Sequence, residues 1–448
     1  MQSSTRPTRR SRKAFAATAG IAALALTLTA CGSSDDGDDA ADGGDSDAPV
    51  TLTIATFNDF GYTQDLLDAY TEEHPNVTIK HTIAATSDDA KANFTTKLAA
   101  GGAGLADIQA VDIDWMPIVQ QYEDLFTDLS DPSLDGRWLD WKTTQGSSND
   151  GSKLLGYGTD IGPEAICYRQ DLFEAAGLPS DPDGVAELLG GADATWDKYF
   201  EVGKDFVSKS DGVAWFDSAE GVYQAMVGQI EEPYENASDG TAKDLASNTD
   251  IKDLFTTVAT MSKDEGLAAP NQQWSDDWNK AFQNDGFATM ACPAWMTGSI
   301  ETNSGGVDGW NIANVFPGGG GNWGGSFLVV PASGAHTQAA KDFAAWLTAP
   351  EQQTAAFNNS GNFPSQVEAE ASEEVTSATN DFFNDAPVGK IYTDRAAAVT
   401  VTPFKGPNYF SINSAVTNAL VAYDVQGKGS IESNWDDAVK AYEALGIG

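Results

Sequence analysis

The sequence has three cysteines, Cys31, Cys167 and Cys292, and these are its best candidates for covalent chemistry. A thiol can act as a nucleophile, bind a metal, form half of a disulfide or fill a small space in a core. A nucleophilic cysteine needs a base beside it. The candidate bases are three histidines, His74, His81 and His336. Two of them fall close together early in the chain, so we expect structural roles for the cysteines rather than catalysis.

Cys31 follows a segment typical of a secretory signal. A head with five basic residues is followed by an uncharged run over 14–30, too short and too weakly apolar for a membrane span. The run ends in Leu28-Thr29-Ala30-Cys31, which resembles the lipobox of bacterial lipoproteins. We therefore predict a signal peptide over 1–30 and a lipid on Cys31. The pair Arg9-Arg10 leaves open whether export uses the general or the twin-arginine route.

Residues 31–49 predict an acidic, disordered tether, because they lack large apolar side chains and cannot bury enough surface to offset their ordering entropy. The whole chain carries a net charge of -41, which repels nucleic acid and anionic lipid. We expect contact with a membrane only through the lipid. An exported chain meets an oxidising compartment, so Cys167–Cys292 is the expected disulfide.

Strand and helix patterns alternate through the remaining residues, 50–448. Examples are a buried strand over 51–57, an amphipathic helix over 62–74 that Pro75 ends, and a second strand over 77–83. This alternation predicts an α/β fold with a parallel sheet covered on both faces. The length favours two domains over one.

Several motifs that mark catalysis or nucleotide binding are missing from the sequence. It contains no P-loop, no H-E-x-x-H and no G-x-S-x-G. The match of Gly319, Gly321 and Gly324 to G-x-G-x-x-G precedes a strand instead of a helix, so no dinucleotide site is expected. We predict no metal and no cofactor. A glycosidase pair stays open, because sequence cannot place two carboxylates side by side.

Aromatic and polar residues follow several predicted strands. In an open α/β sheet, ligands bind at the carboxyl ends of the strands. Aromatic rings there can stack on the C–H faces of sugars, and carboxylates or amides can hydrogen-bond sugar hydroxyls. Turn residues flank three of the tryptophans, which favours binding over core packing at those positions. The candidates are Asn58, Asp59, Asp114, Trp115, Trp295 and Trp323.

Three segments carry a resemblance to a known family. They are "YGTDIGPEAICYRQDLFEAAGLP" (157–179), "FATMACPAWMTGSI" (287–300) and "NWGGSFLVVPASGAHTQAAKDFAAWLTAPEQQ" (322–353). With them, residues 50–448 resemble the extracellular sugar-binding proteins of ABC importers, solute-binding protein family 1. The cysteine-bearing segments look most like actinobacterial lipoproteins that bind cellobiose and cello-oligosaccharides.

The resemblance implies a two-lobed α/β fold of the periplasmic-binding-protein type (class II, maltose-binding-protein-like), with a ligand cleft between the lobes. Lobe one would comprise 50–162 and 325–385, and lobe two 163–324 and 386–448. By position, Glu164 would hydrogen-bond sugar hydroxyls and Trp295 would stack on a sugar ring. Asp160, Tyr409 and Phe410 are further candidates, and Asn58-Asp59 and Asp114-Trp115 would contribute contacts from lobe one.

The predicted function is a non-catalytic, monomeric receptor on the outer face of the cytoplasmic membrane. It would bind a di- or oligosaccharide by hinge closure and deliver it to the permease subunits of an ABC importer. An exported lipoprotein glycoside hydrolase is the alternative. A surface adhesion protein is disfavoured, because the aromatic residues follow single strands instead of forming an exposed repeat.

Overall fold

The computed structural model describes residues 48–58 and 60–447. The predicted signal peptide, Cys31, most of the tether and Asp59 lie outside the described residues. None of the helices in the described part of the chain has both the length and the apolar character of a membrane span.

Eleven strands and eighteen α-helices make up the described part. The strands are β1 (Val50–Phe57), β2 (Val77–Ala84), β3 (Ile108–Asp112), β4 (Gly156–Gly158), β5 (Asp160–Ile161), β6 (Glu164–Arg169), β7 (Ala214–Phe216), β8 (Phe287–Pro293), β9 (Trp310–Ala313), β10 (Ser326–Val329) and β11 (Phe363–Pro364). The helices are α1 (Gln64–Glu73), α2 (Ser87–Ala99), α3 (Met116–Gln121), α4 (Asp140–Gln145), α5 (Gln170–Ala175), α6 (Pro182–Leu188), α7 (Trp196–Lys209), α8 (Ala219–Val227), α9 (Thr249–Ala259), α10 (Asp276–Ala281), α11 (Met296–Ser304), α12 (Thr337–Leu347), α13 (Pro350–Ser360), α14 (Val367–Glu370), α15 (Glu373–Thr376), α16 (Val388–Ala398), α17 (Tyr409–Asp424) and α18 (Ile431–Ala444).

The first sheet has the strand order β2-β1-β3-β10-β4. The predicted parallel arrangement is confirmed for β1, β2 and β3, but it is wrong for β10, which runs antiparallel to β3 and β4. The register explains the difference, since Ser326 at the start of β10 lies opposite Asp112 at the end of β3. The chain thus re-enters this sheet at the end from which β3 leaves it, so β10 runs in the opposite direction.

The second sheet has the order β7-β8-β6-β9, with β6 antiparallel to both of its neighbours and β7 parallel to β8. Its strands are buried on both faces, as expected for a sheet covered by helices. The C-terminal helices α17 and α18 pack against each other and against α9, and α17 also packs against α8.

Three buried clusters hold these layers together. A first core lies around the first sheet, with Ile54, Val111 and Phe327 among its residues. A second core joins the second sheet to helices that include α17, through residues such as Trp215 and Leu420. A central core joins β6, β8 and β9 of the second sheet to β5, β11 and α16. Each sheet therefore has its own core. The first sheet with its helices is called here the first half, and the second sheet with its helices the second half. The segments that pass between the sheets connect the two halves.

Candidate functional site

Two segments cross side by side between the sheets, residues 159–163 and 321–325, called here the crossing segments. The amide of Gly162 donates to Asn322 Oδ1 (2.9 Å), and the amide of Trp323 donates to the carbonyl of Gly162 (2.8 Å). A Cβ at position 162 would lie 1.8 Å from the carbonyl oxygen of Trp323. Only glycine therefore allows the two backbones to approach this closely.

The disulfide Cys167–Cys292 is confirmed and joins β6 to β8, with 5.5 Å between the two Cα atoms. In the same ladder, Glu164 lies opposite Pro293. The disulfide therefore fixes the strand pair whose ends carry Glu164 and the turn that leads to Trp295.

Glu164 is fully buried where the first crossing segment enters β6. Neither of its carboxylate oxygens has a hydrogen-bond partner among the described residues. Burial raises the pKa of Glu164 to about 8, although the positive charge of Lys405 opposes this rise. Leaving a buried polar group unpaired costs free energy, so an unpartnered carboxylate at this position marks a site for a hydrogen-bond donor.

Asp112 and Asp114 lie at the carboxyl end of β3, beside the start of β10. Asp112 Oδ1 accepts a hydrogen bond from the amide of Asp114 (2.8 Å). Burial raises the pKa of Asp112, the negative charge of Asp114 adds to this rise, and the positive charge of Lys405 opposes it. Asp112 is therefore a second buried carboxyl group at the end of the first sheet, and Lys405 compensates its charge only in part.

Asp160 has a different environment, because neighbouring residues already bind its carboxylate. Its Oδ1 accepts from the amide of Ser326 (3.0 Å) and from Thr159 Oγ1 (2.7 Å). Burial raises its pKa against the positive charge of Lys142, which lies 4.0 Å from the ring centroid of Phe327. This side chain ties β5 to the start of β10.

Lys405 bridges the two halves of the protein. The backbone amide of Asn408 donates to the carboxylate of Glu235 (2.9 Å). The backbone amide of Phe404 donates to the carbonyl of Glu231 (2.7 Å). Both acceptors belong to the second half, and they hold the chain there on either side of Lys405. From that position the ammonium group forms an ion pair with Asp114.

A second cation makes the same kind of bridge. Lys91 of α2 lies 2.8 Å from the ring centroid of Phe410, at the start of α17. Since α2 packs on the first sheet and α17 on helices of the second half, this contact and the Lys405–Asp114 pair exist only while the halves are together.

Tryptophans form a cluster around the crossing segments. Trp295 Nε1 donates to the carbonyl of Trp323 (2.8 Å), and the two rings meet edge to face with centroids 5.5 Å apart. Trp274 also stacks on Trp295, with 6.0 Å between centroids and 23° between the planes. Both Trp295 and Trp323 are partly accessible. The structure therefore brings these two predicted residues together beside Gly162.

The other predicted aromatic residues are more enclosed. Trp115 is 1% exposed, packs against Phe57 and Phe94, and donates from Nε1 to Ser87 Oγ (3.1 Å). Tyr409 is fully buried, with the Lys405 ammonium 4.9 Å from its ring centroid. These placements favour packing roles for both rings in this arrangement of the halves.

Asn58 follows β1, as predicted, and its side chain is exposed with the backbone in the left-handed region (φ 51°). The backbone amide of Asn58 donates to the carbonyl of Ala84 at the end of β2 (3.0 Å).

Four residues near the site were not predicted: Lys91, Lys142, Lys405 and Trp274. Lys405 stands in "FKGPN", directly before a predicted aromatic pair, and a lone cation in so acidic a chain is a signal that could have identified it. Trp274 follows two glutamines and precedes a serine N-cap, so its sequence context predicts exposure. No local pattern distinguishes Lys91 or Lys142.

The comparisons with known proteins agree with this architecture. The sequence profile of the family described as bacterial extracellular solute-binding protein matches residues 65–384. A crystal structure described as extracellular solute-binding protein family 1 is 46% identical, covers 88% of this chain and 100% of its own, and superposes with a TM-score of 0.78. Among curated proteins, none matches this chain.

Two more distant structures share the fold. A binding protein associated with an ABC transporter of B. animalis subsp. lactis Bl-04, in complex with β-1,6-galactobiose, is 19% identical with a TM-score of 0.72, over 88% of this chain and 96% of that one. Maltose-bound MalE3 of T. maritima is 15% identical with a TM-score of 0.66, over 88% and 99%. The two-lobed, maltose-binding-protein-like fold predicted from the sequence is confirmed.

Proposed function

Because the chain belongs to the family of bacterial extracellular solute-binding proteins, we propose that it is the sugar receptor of an ABC importer. A lipid on Cys31 holds it at the outer face of the cytoplasmic membrane, where it works as a monomer. Its ligand is a di- or oligosaccharide, such as cellobiose or a cello-oligosaccharide. The disaccharides named for the two distant structures support this class of ligand.

The observation that carries the proposal is the buried, unpartnered carboxylate of Glu164. A sugar hydroxyl donates to such an oxygen, and this hydrogen bond contributes about 0.5–1.5 kcal/mol while the carboxyl group is protonated and about 1.5–3 kcal/mol once it ionises. Trp323 lies in the second crossing segment, and Trp295 is hydrogen-bonded to it. Both rings lie beside Gly162 and can stack on the apolar face of the same sugar. Of the other predicted residues, Asn58, Asp59, Asp114 and Phe410 would supply further contacts. Trp115, Asp160 and Tyr409 would support the site from behind through their packing and hydrogen bonds.

Binding proceeds by hinge closure about the crossing segments, with lobe one as 50–162 and 325–385 and lobe two as 163–324 and 386–448. A ligand stabilises the closed form only through contacts that the open form lacks. The Lys405–Asp114 pair and the Lys91–Phe410 contact belong to the closed form, because each joins elements of different halves. They reduce the contribution that the sugar itself must make to closure. The closed receptor then delivers its sugar to the permease subunits.

A thermal-shift panel of mono- and oligosaccharides tests the proposal. We expect at least one oligosaccharide to raise the Tm of the wild-type protein, and we expect Glu164→Ala to abolish most of that rise. Glu301→Ala, which removes an exposed carboxylate on α11, serves as the control and should respond as the wild type does. If no saccharide shifts the wild type, the sugar-receptor proposal is wrong.

One observation favours a second candidate, an exported glycoside hydrolase. A carboxyl group that stays protonated near neutral pH can act as a general acid, and the pKa of Glu164 is raised to about 8. Chromatography of an oligosaccharide after long incubation separates the two functions. The receptor returns the sugar intact, whereas catalytic release of shorter sugars would establish the hydrolase.

A further inference from the structure

Trp274 is the most accessible of the twelve tryptophans, all of which lie in the described residues. The residue is 47% exposed, and the others are buried or partly buried. A single exposed apolar side chain is common on protein surfaces, whereas an exposed ring that continues an aromatic cluster is typical of an interaction site. The ring therefore requires an explanation other than core packing.

The backbone at Trp274 lies in the left-handed region, with a φ of 68°. A bulky side chain rarely adopts this conformation, and such strain persists only where the neighbouring structure imposes it. On the N-terminal side, the backbone amide of Gln273 donates to Glu220 Oε2 (2.9 Å). On the C-terminal side, Ser275 caps α10, and Trp278 Nε1 donates to the buried carboxylate of Asp217 (2.8 Å). Anchors on both sides thus hold Trp274 in an outward position.

The Trp274 ring is continuous with the proposed sugar site. It stacks on Trp295, whose Nε1 binds the carbonyl of Trp323 in the second crossing segment. Trp295 Nε1 also lies within 2.9 Å of the position that a Cβ on Gly162 would take, and Gly162 is two residues from Glu164. The aromatic surface therefore runs outward from the crossing segments to a ring that faces solvent.

Building on the proposed function, we propose that Trp274 forms an outer stacking subsite, and that the ligand is an oligosaccharide long enough to reach it. The inner sugar unit hydrogen-bonds Glu164, and a later unit places its C–H face on Trp274. A monosaccharide bound at Glu164 cannot extend to this ring, so Trp274 selects for chain length and not for the identity of the inner unit.

Isothermal titration calorimetry with two series of saccharides tests the subsite. The probes are glucose, cellobiose, cellotriose and cellotetraose, and maltose, maltotriose and maltotetraose. For Trp274→Ala we expect about tenfold weaker binding of the longest sugar that the wild type binds, and less than about twofold for the shortest. Trp274→Phe should retain most of the affinity, since it keeps a ring. Tyr122→Ala, which removes an exposed aromatic residue at the end of α3, is the matched control and should change nothing.

A folding control separates binding from stability. Trp274→Gly removes the ring and its packing on Trp295 as Trp274→Ala does, but it also accepts the positive φ, so its Tm should be higher than that of Trp274→Ala while its affinity for long sugars falls equally. An equal loss of affinity for every length, or no loss, would overturn the subsite and leave the sugar-receptor proposal standing. If the wild type binds no saccharide of either series, both proposals fall together.

Discussion

Replacing Glu164 by glutamine should make the stability of the ligand-free protein less sensitive to pH. Burial raises the pKa of this carboxyl group from its ordinary value of 4.5 to about 8 in the folded protein. In the unfolded chain it regains the ordinary value. The protonated form therefore favours folding, and this contribution is complete below about pH 4.5 and is lost as the pH rises through about 8.

The size of the effect follows from the two pKa values. They differ by about 3.5, and one pKa unit corresponds to about 1.4 kcal/mol, so full ionisation of Glu164 costs the fold about 5 kcal/mol. Between about pH 5 and pH 9, the wild-type protein should lose about 4 kcal/mol that Glu164→Gln does not lose. Other carboxylates titrate in both proteins, and their contributions cancel in the difference.

Urea unfolding, followed by tryptophan fluorescence at several pH values, measures this difference. The free energies of unfolding of the wild type and Glu164→Gln should be similar near pH 5 and diverge towards pH 9, with the variant the more stable. Glu301→Gln controls for the loss of one exposed charge and should follow the wild type. If the curves of the wild type and Glu164→Gln run parallel, Glu164 is not desolvated in the way argued above.

Three further variants test contacts between the halves and within the second sheet. Lys405→Met removes the ion pair with Asp114, so sugar affinity should fall by about 1–2 kcal/mol and small-angle scattering should show a more open average shape; unchanged affinity and shape would contradict a bridging role. The same change removes a positive charge that lowers the folded-state pKa of Glu164, so the divergence described above should still begin near the ordinary pKa but become larger and continue to higher pH. Cys167→Ala/Cys292→Ala opens a loop of 125 residues and should lower stability by about 5 kcal/mol on the chain-entropy model, and a Tm within a few degrees of the wild type would refute this. Gly162→Ala forces a methyl group onto the carbonyl of Trp323 and should cost more than about 3 kcal/mol in thermal unfolding, whereas a neutral result would mean that the crossing segments can separate freely.

Much of the fold could be predicted because its elements carry strong local signals. The strand over 51–57 and the helix over 62–74 correspond to β1 and α1, and the serine and threonine N-caps define several helix starts. The direction of β10 could not be predicted from alternation alone, since it depends on where the chain re-enters the first sheet. That information lies in contacts between residues far apart in the sequence.

The candidate site was predicted in part. The position of Glu164 and the pairing of Cys167 with Cys292 could be inferred from a family resemblance and from the count of cysteines. The desolvation of Glu164, the bridge from Lys405 to Asp114 and the exposure of Trp274 are properties of the assembled structure. Each depends on which neighbours fold against the residue, and no local pattern encodes those neighbours.

The most direct test of the central claim is a crystal structure of the protein with the saccharide that raises its Tm most. We predict that the sugar lies between the two sheets, with a hydroxyl group within about 3 Å of a Glu164 oxygen and a ring stacked on Trp295. A sugar bound elsewhere, with Glu164 still unpartnered, would contradict the account.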